Sequence, residues 1–280
     1  MTTILTKTRA RGSHFGIHHV RGLVTARVHW PECNYLVDAR RTVLYCPIMK
    51  VACSSIMRWF LRFQGLSEQE IGCREHDLIL PYQLRKCGAW RATQILLDAN
   101  VFLFAFVRNP WSRLVSAYLN QLLTVSDVSA PVLRAIQRRR RTASDSASPL
   151  RADITFEEFV SFLERENLRT CNVHWKPQHH FLEGNRFDFI GKFESLETDF
   201  QIVQGRLGTD VPLPRVNTTS YASQTAKTDF VGRCTPAELR RLPAFPHYRY
   251  FYSPATRETV ARLYARDIAR FGYTFDPDAA

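Results

Sequence analysis

Apolar positions in this chain fall into short blocks that alternate between two periods. Residues 43–46 (VLYC) are continuously apolar, Pro47 breaks the run, and Ile56, Trp59, Phe60 and Phe63 then recur at helical spacing. That pattern predicts a buried strand, a loop of small residues and a helix beginning near Cys53 or Ser54. The same order returns at 101–123. Seven apolar residues (101–107) predict a strand buried on both faces, Pro110 suits the first position of a helix, and Trp111, Leu114, Val115 and Tyr118 carry that helix on. A third strand is predicted at 187–193, with a helix opening at Glu194. Amphipathic helices are predicted at 155–165, capped by Asp153 or Thr155, and at 254–271, ended by Gly272. Strands alternating with helices predict an α/β fold, a central parallel sheet flanked by helices.

The stretches between these blocks are less regular. Residues 1–35 read as a basic, irregular lead-in whose histidines (His14, His18, His19, His29) lack metal-ligand spacing. Residues 66–97 are mixed, with a capping box at Ser67 and Glu70 and an interruption at Pro81; they suit a pocket wall better than a sheet. Residues 124–153 are serine-rich and polar, and predict a long loop or insertion. Residues 207–219 form a proline-punctuated connection ending in Asn217-Thr218-Thr219, a glycosylation pattern that matters only in a secreted chain.

Composition narrows the partners. Hydrophobic residues make up 45% and charged residues 23% of 280 positions, as in ordinary globular proteins. A net charge of +12 points toward polyanions such as nucleic acid, anionic glycan or phosphorylated small molecules. Arg134, Arg138, Arg139, Arg140 and Arg141 concentrate part of that charge in one segment, either a solvated loop or a docking patch. No apolar run approaches the roughly 18 residues of a membrane span. The basic opening MTTILTKTRARGSH lacks the apolar core of a signal peptide, so the expected location is cytoplasmic. Seven cysteines without a CxxC pair argue against a zinc ribbon or a dense disulfide framework. Cys46 and Cys53 read as packing residues, and Cys171 near His174 lacks the partners of a nucleophile.

The candidate chemistry sits where predicted strands end. A strand, a tight loop and a helix N-terminus make an anion site, because unpaired backbone N–H groups converge there and the helix dipole favours negative charge. Lys50 adds a point charge, and Ser54 and Ser55 add hydroxyl donors. The loop has no Walker pattern, since GxxxxGK[ST] is absent. Ligands of open α/β sheets bind outside the carboxyl ends of the strands. That rule places Arg108 at the same edge as Lys50, with Ser116 one and a half turns into the following helix. The loop carrying His174, Trp175 and Gln178 is a second candidate site.

With both units in hand, the chain resembles the Golgi-type carbohydrate sulfotransferases of sulfotransferase family 2, the group of the chondroitin and dermatan 4-O enzymes. The segment CPIMKVACSSIMR is similar to that family's 5′-phosphosulfate loop, usually CPIPKVACTSW. FVRNPWSRLVSAY is similar to its 3′-phosphate motif, usually FVRDPFERLVSAY, and HWKPQHHFL, FDFIGKFESLETDF and LYARDIARFGY follow in the family's order. Met49 replaces the usual proline, which should loosen the loop, and Ile56 replaces the usual tryptophan, a packing change. The resemblance spans about residues 42–273. It implies one sulfotransferase domain (1–280, with a basic insertion at about 124–153) and a P-loop-NTPase-like parallel sheet.

The resemblance further implies transfer of a sulfuryl group from 3′-phosphoadenosine 5′-phosphosulfate (PAPS) to a carbohydrate hydroxyl, without a metal. Lys50 and the loop residues Val51, Ala52, Cys53, Ser54 and Ser55 would take the 5′ end of the donor, and Arg108 and Ser116 its 3′-phosphate. His174 is the expected general base, with His76 in reserve. A soluble enzyme with a carbohydrate acceptor, possibly anionic, and no specific nucleic acid follows. Two other classes stand beside this reading: an ATP-dependent small-molecule kinase, against which the absence of a metal-binding carboxylate after the second strand speaks, and a basic nucleic-acid-binding module, for which no motif is found.

Overall fold

A computed structural model describes residues 35–140, 152–216 and 229–276. Its centre is a four-stranded sheet in the order β1 (Leu36–Val37), β2 (Val43–Cys46), β3 (Phe102–Val107) and β4 (Phe189–Lys192). β1 is antiparallel to β2, whereas β2, β3 and β4 run parallel, with Cys46 beside Ala105 and Val107 beside Lys192. The three parallel strands therefore end at one edge.

Every residue of β2 and β3 is buried, as continuous apolar runs require in a sheet covered on both sides. One cover is α1 (Cys53–Phe63), whose Trp59 packs edge-on to Phe104 and, at 4.9 Å, to Phe200 of a later helix. The helix after β3 (Pro110–Gln121) is buried along most of its length, and its Tyr118 donates to the Ile154 carbonyl at 2.8 Å. Gly191 of β4 has a steric reason: a Cβ there would lie 2.3 Å from the Phe106 ring on the neighbouring strand.

The predicted strands, both strand–loop–helix units and the Thr155 and Ser67 capping boxes are present. The third strand is shorter than predicted. The expected loop at 124–153 contains a helix, Ala130–Arg140, because Val132, Leu133 and Ile136 bury one face that the surrounding arginines conceal in the sequence. Arg138, Arg139 and Arg140 fall in its last turn, where cations suit the helix dipole. The C-terminal helix is two, Pro254–Leu263 and Ala265–Phe271, broken at Tyr264. Residues 1–34, Arg141 and Asn217-Thr218-Thr219 lie outside the described residues. Among those described, no helix is long and apolar enough to cross a membrane.

Candidate active site at the carboxyl edge of the sheet

The loop leaving β2 turns through two left-handed residues that are not glycine, Lys50 (φ 69°) and Ala52 (φ 51°). Such backbone costs roughly 1–2 kcal/mol per residue, so the surrounding structure must hold it in place. Ala52 is the N-cap of α1 and has no side chain to cap it, and the first turn holds no acidic residue. The first bond within the helix runs from Ile56 N–H to the Ala52 carbonyl. The N–H groups of Cys53, Ser54 and Ser55 thus form an electropositive end that no side chain of the helix neutralises. Ser55 is buried, and its hydroxyl accepts from Val216 N–H at 3.2 Å, which leaves its own proton to donate. Burial pushes the Lys50 ammonium down to about 8, with Arg108 and Arg113 adding to the effect and Cys53 opposing it.

Arg108 caps the end of β3. Its guanidinium donates to Ser112 Oγ (2.9 Å) and to the Lys50 carbonyl (3.2 Å), and stacks 4.2 Å over Phe193. Its backbone is paired on both sides by Gln178, which accepts from Arg108 N–H at 2.8 Å and donates to its carbonyl at 2.7 Å. Ser116 is buried one turn beyond Ser112 on the same helix face. Asn109 accepts from Trp111 N–H and donates to the Thr274 carbonyl at 2.8 Å, a donation that the family's usual aspartate could not make when ionised.

The link between the two halves of the site is Arg113, which the sequence reading passed over. Only 2% exposed, it donates to the carbonyls of Met49 (2.9 Å), Lys176 (2.8 Å) and Val173 (3.2 Å). It therefore ties the Lys50 loop at Met49, the position expected to loosen it, to the loop carrying His174. An arginine set among Trp111, Leu114 and Tyr118 was the available signal. Among the described residues, Lys50, Arg108 and Arg113 form no ion pair with a carboxylate; the two arginines are held by carbonyls, a hydroxyl and a ring.

His174 is half-buried, and its Nδ1 lies 2.7 Å from Asn172 Oδ1, which also accepts the His174 backbone N–H at 3.0 Å. Its imidazole does not titrate near neutrality as an unperturbed one would. Burial first, then the charges of Lys50 and Arg113, push it down to about 4, so the ring is neutral at pH 7. The same two cations bear on His174 and on the loop, which brings the second candidate site to the first. His76 is exposed on a one-turn helix (Glu75–Leu78) and bonds to none of these groups among the described residues. Burial pushes the Cys171 thiol up to about 12, which leaves no thiolate to act as a nucleophile.

One described group has metal-ligand spacing: His179, His180 and Glu183, with ligand atoms within 4.8 Å of one another. Glu183 already faces Arg169 and Arg266 at 3.4 Å each, so its charge is balanced without a cation. Buried Asp267 holds His179 Nδ1 at 2.6 Å and accepts the backbone N–H groups of Gln178 and His179, which fixes Gln178 against Arg108.

Comparison with known proteins gives this edge a context. The profile of the sulfotransferase family matches residues 33–274. The chain is 34% identical to human carbohydrate sulfotransferase 14 over 247 residues, which are 86% of this chain and 60% of that protein. It is 34% identical to the mouse protein of the same name over 172 residues (59% and 44%), and 28% identical to rat carbohydrate sulfotransferase 11 over 209 residues (70% and 58%). The chain thus spans about half the length of these relatives. No solved structure matches. The expected cytoplasmic location is overturned: the relatives are carbohydrate sulfotransferases of the Golgi-type group, membrane-anchored enzymes, which conflicts with it. The lack of a signal in the opening residues was the wrong guide, since those residues lie outside the part that carries the similarity.

Proposed function

Because the chain belongs to the sulfotransferase family, we propose that it is a single-domain enzyme moving a sulfuryl group from PAPS to a carbohydrate hydroxyl. The observation that carries this reading is the hydrogen bond between Arg108 and the Lys50 carbonyl, which sets two cations lacking carboxylate partners side by side at one sheet edge. A donor with phosphates at both its 5′ and 3′ positions supplies the missing negative charge at two points.

In this reading the N–H groups from Val51 to Ser55, with the Ser54 and Ser55 hydroxyls, bind the 5′-phosphosulfate. Lys50 stabilises the charge that grows on the oxygen leaving sulfur. Arg108 and Ser116 bind the 3′-phosphate, the arginine through its remaining forked N–H donors. His174 takes the proton of the attacking hydroxyl. The arriving anions offset the repulsion of Lys50 and Arg113, which raises His174 toward the range useful to a base. With the charge met by these side chains, transfer is expected to proceed without added metal. An anionic glycan is the acceptor class we favour, because Arg139 and Arg165 line a groove beside helix Ala130–Arg140 in which Glu158 pairs only Arg140.

The test is calorimetric titration with 3′,5′-adenosine bisphosphate in the absence of magnesium, followed by turnover with labelled PAPS across a panel of glycans. Tight binding and sulfation of a glycan are expected. Preference for ATP-magnesium or for an oligonucleotide would overturn the reading, and neither alternative has support among the relatives.

A further inference from the structure

The geometry points to Asn172 as the positioning residue that sets which nitrogen of His174 carries the proton; we infer that it holds His174 in the Nδ1–H form, with the lone pair on Nε2. This rests on the proposed role of His174 as base, and extends it to a residue outside the two nucleotide motifs.

The argument begins with the amide. An asparagine side chain has one oxygen that accepts and one nitrogen that donates, and a half-turn exchanges them. Here a backbone N–H decides between them. The His174 amide N–H points at the Asn172 side chain from 3.0 Å, and an N–H can only donate, so the atom it meets is Oδ1. The same Oδ1 lies 2.7 Å from His174 Nδ1. An oxygen already accepting one bond has a second lone pair and no proton to give, so Nδ1 must be the donor. A neutral imidazole carries one N–H, and burial, with the charges of Lys50 and Arg113 added, keeps the ring neutral. With that proton on Nδ1, Nε2 is left basic.

Four further bonds keep the loop in place. Arg113 holds the carbonyls of Val173 and Lys176 on either side of His174, and the backbone N–H groups of Trp175 and Lys176 return to the Asn172 carbonyl. Asn172 is thus the hub of the turn as well as the partner of the ring. In the transfer step, Nε2 takes the proton of the acceptor hydroxyl as its oxygen bonds to sulfur. The bond from sulfur to the 5′-phosphate oxygen breaks, and that oxygen leaves with the electron pair. The resulting imidazolium has N–H groups on both nitrogens, and Oδ1 accepts from the Nδ1–H throughout without a proton moving.

Nitrogen-15 NMR of the full chain reads the ring directly, with His174 identified by its loss in His174→Gln. A pyrrole-type Nδ1 and pyridine-type Nε2 are expected at neutral pH, shifting toward the opposite form in Asn172→Ala. Asn172→Ala should lower kcat about 10- to 100-fold with little change in KM for PAPS. Asn172→Asp keeps an acceptor and adds a negative charge, so it should retain the Nδ1–H form and move the acidic limb of the kcat profile to higher pH. If Asn172→Ala unfolds, the tautomer of the parent protein and the pH shift in Asn172→Asp decide: an Nε2–H ring in either protein, or an unmoved acidic limb in Asn172→Asp, would overturn the inference. Nε2–H in the parent protein, or Asn172→Ala with unchanged tautomer and kcat, would overturn the inference. Normal turnover by His174→Gln would instead overturn the base reading, and the NMR result would still decide the role of Asn172.

Discussion

Two groups of cations sit in this molecule under opposite conditions. Lys50, Arg108 and Arg113 meet at the carboxyl edge of the sheet, wholly or partly buried, the two arginines bonded to carbonyls and a hydroxyl. Arg138, Arg139 and Arg140 end an exposed helix, and Arg140 there is bracketed by Asp153 at 3.0 Å and Glu158 at 2.6 Å. The direction of the pKa shifts records the difference. Desolvation pushes Lys50 and Arg113 down, whereas the hydrogen bonds Arg140 donates to Glu158 push Arg140 up. Net charge marks the arginine helix as the obvious anion site, yet its Arg140 is already paired by carboxylates, whereas among the described residues none of the three inner cations is, and they are the ones withdrawn from water.

The largest expected effect separates the two groups by activity. Lys50→Ala should lower kcat by about 10³-fold with the fold intact, as judged by circular dichroism, because one preorganised donor to a developing oxyanion is worth about that much. Arg139→Ala should change kcat less than about threefold. Equal losses in the two variants would erase the distinction.

Stability comes next. Arg113→Met leaves three carbonyls, one buried and two partly buried, without their donor and should cost about 3 kcal/mol in denaturant unfolding. Arg140→Ala, at a half-exposed surface pair, should cost about 1 kcal/mol or less. A reversal of that order would mean that the clamp between the two loops is not the stronger feature.

Protonation sharpens the comparison further. Lys50 in the folded chain titrates near 8, below its ordinary 10.5. Between those values the unfolded chain holds the extra proton, so the contribution of Lys50 to stability rises with pH across that window. For His174, depressed from 6.5 to about 4, the unfolded chain again binds more protons, and its contribution is lost as pH falls from 6.5 toward 4. Under the proposed reading, bisphosphate binding should reverse the depression of Lys50. Calorimetry at pH 8.5 in buffers of different ionisation heat should show proton uptake, absent in Lys50→Met. No uptake in the parent protein would place the anion away from Lys50.

The smallest effect concerns the acceptor. Arg138→Ala with Arg139→Ala should raise KM for an anionic glycan severalfold and flatten its salt dependence, with bisphosphate affinity unchanged. An unchanged KM would make that helix end a solvated surface.

Much of this architecture was legible in the residues themselves. Val43 to Cys46 and Phe102 to Val107 announce buried strands, and Pro110 and Ala52-Cys53 sit where helices start, because strand and helix periods are local properties. The helix Ala130–Arg140 was not legible, since three buried apolar residues are outvoted in sequence by arginines that simply face outward. The break at Tyr264 also escaped the pattern, whose helical spacing continues through it; there Tyr264 donates to the Trp175 carbonyl at 2.6 Å, a contact 89 positions away.

The site divides in the same way. Sequence alone determined that Lys50 and Arg108 follow strands of one parallel sheet and share its carboxyl edge, because that follows from the repeated strand–loop–helix unit; that the two strands are neighbours came from the structure. Only the tertiary structure decided how those cations are held: Arg113 bridging Met49 to the His174 loop over 60 residues and more, Gln178 locked to Arg108 by Asp267, and the His174 ring lowered to about 4. Periodicity reports which face of an element is buried. Which donor meets which carbonyl, and how far water is excluded from a charge, are set only when distant segments pack.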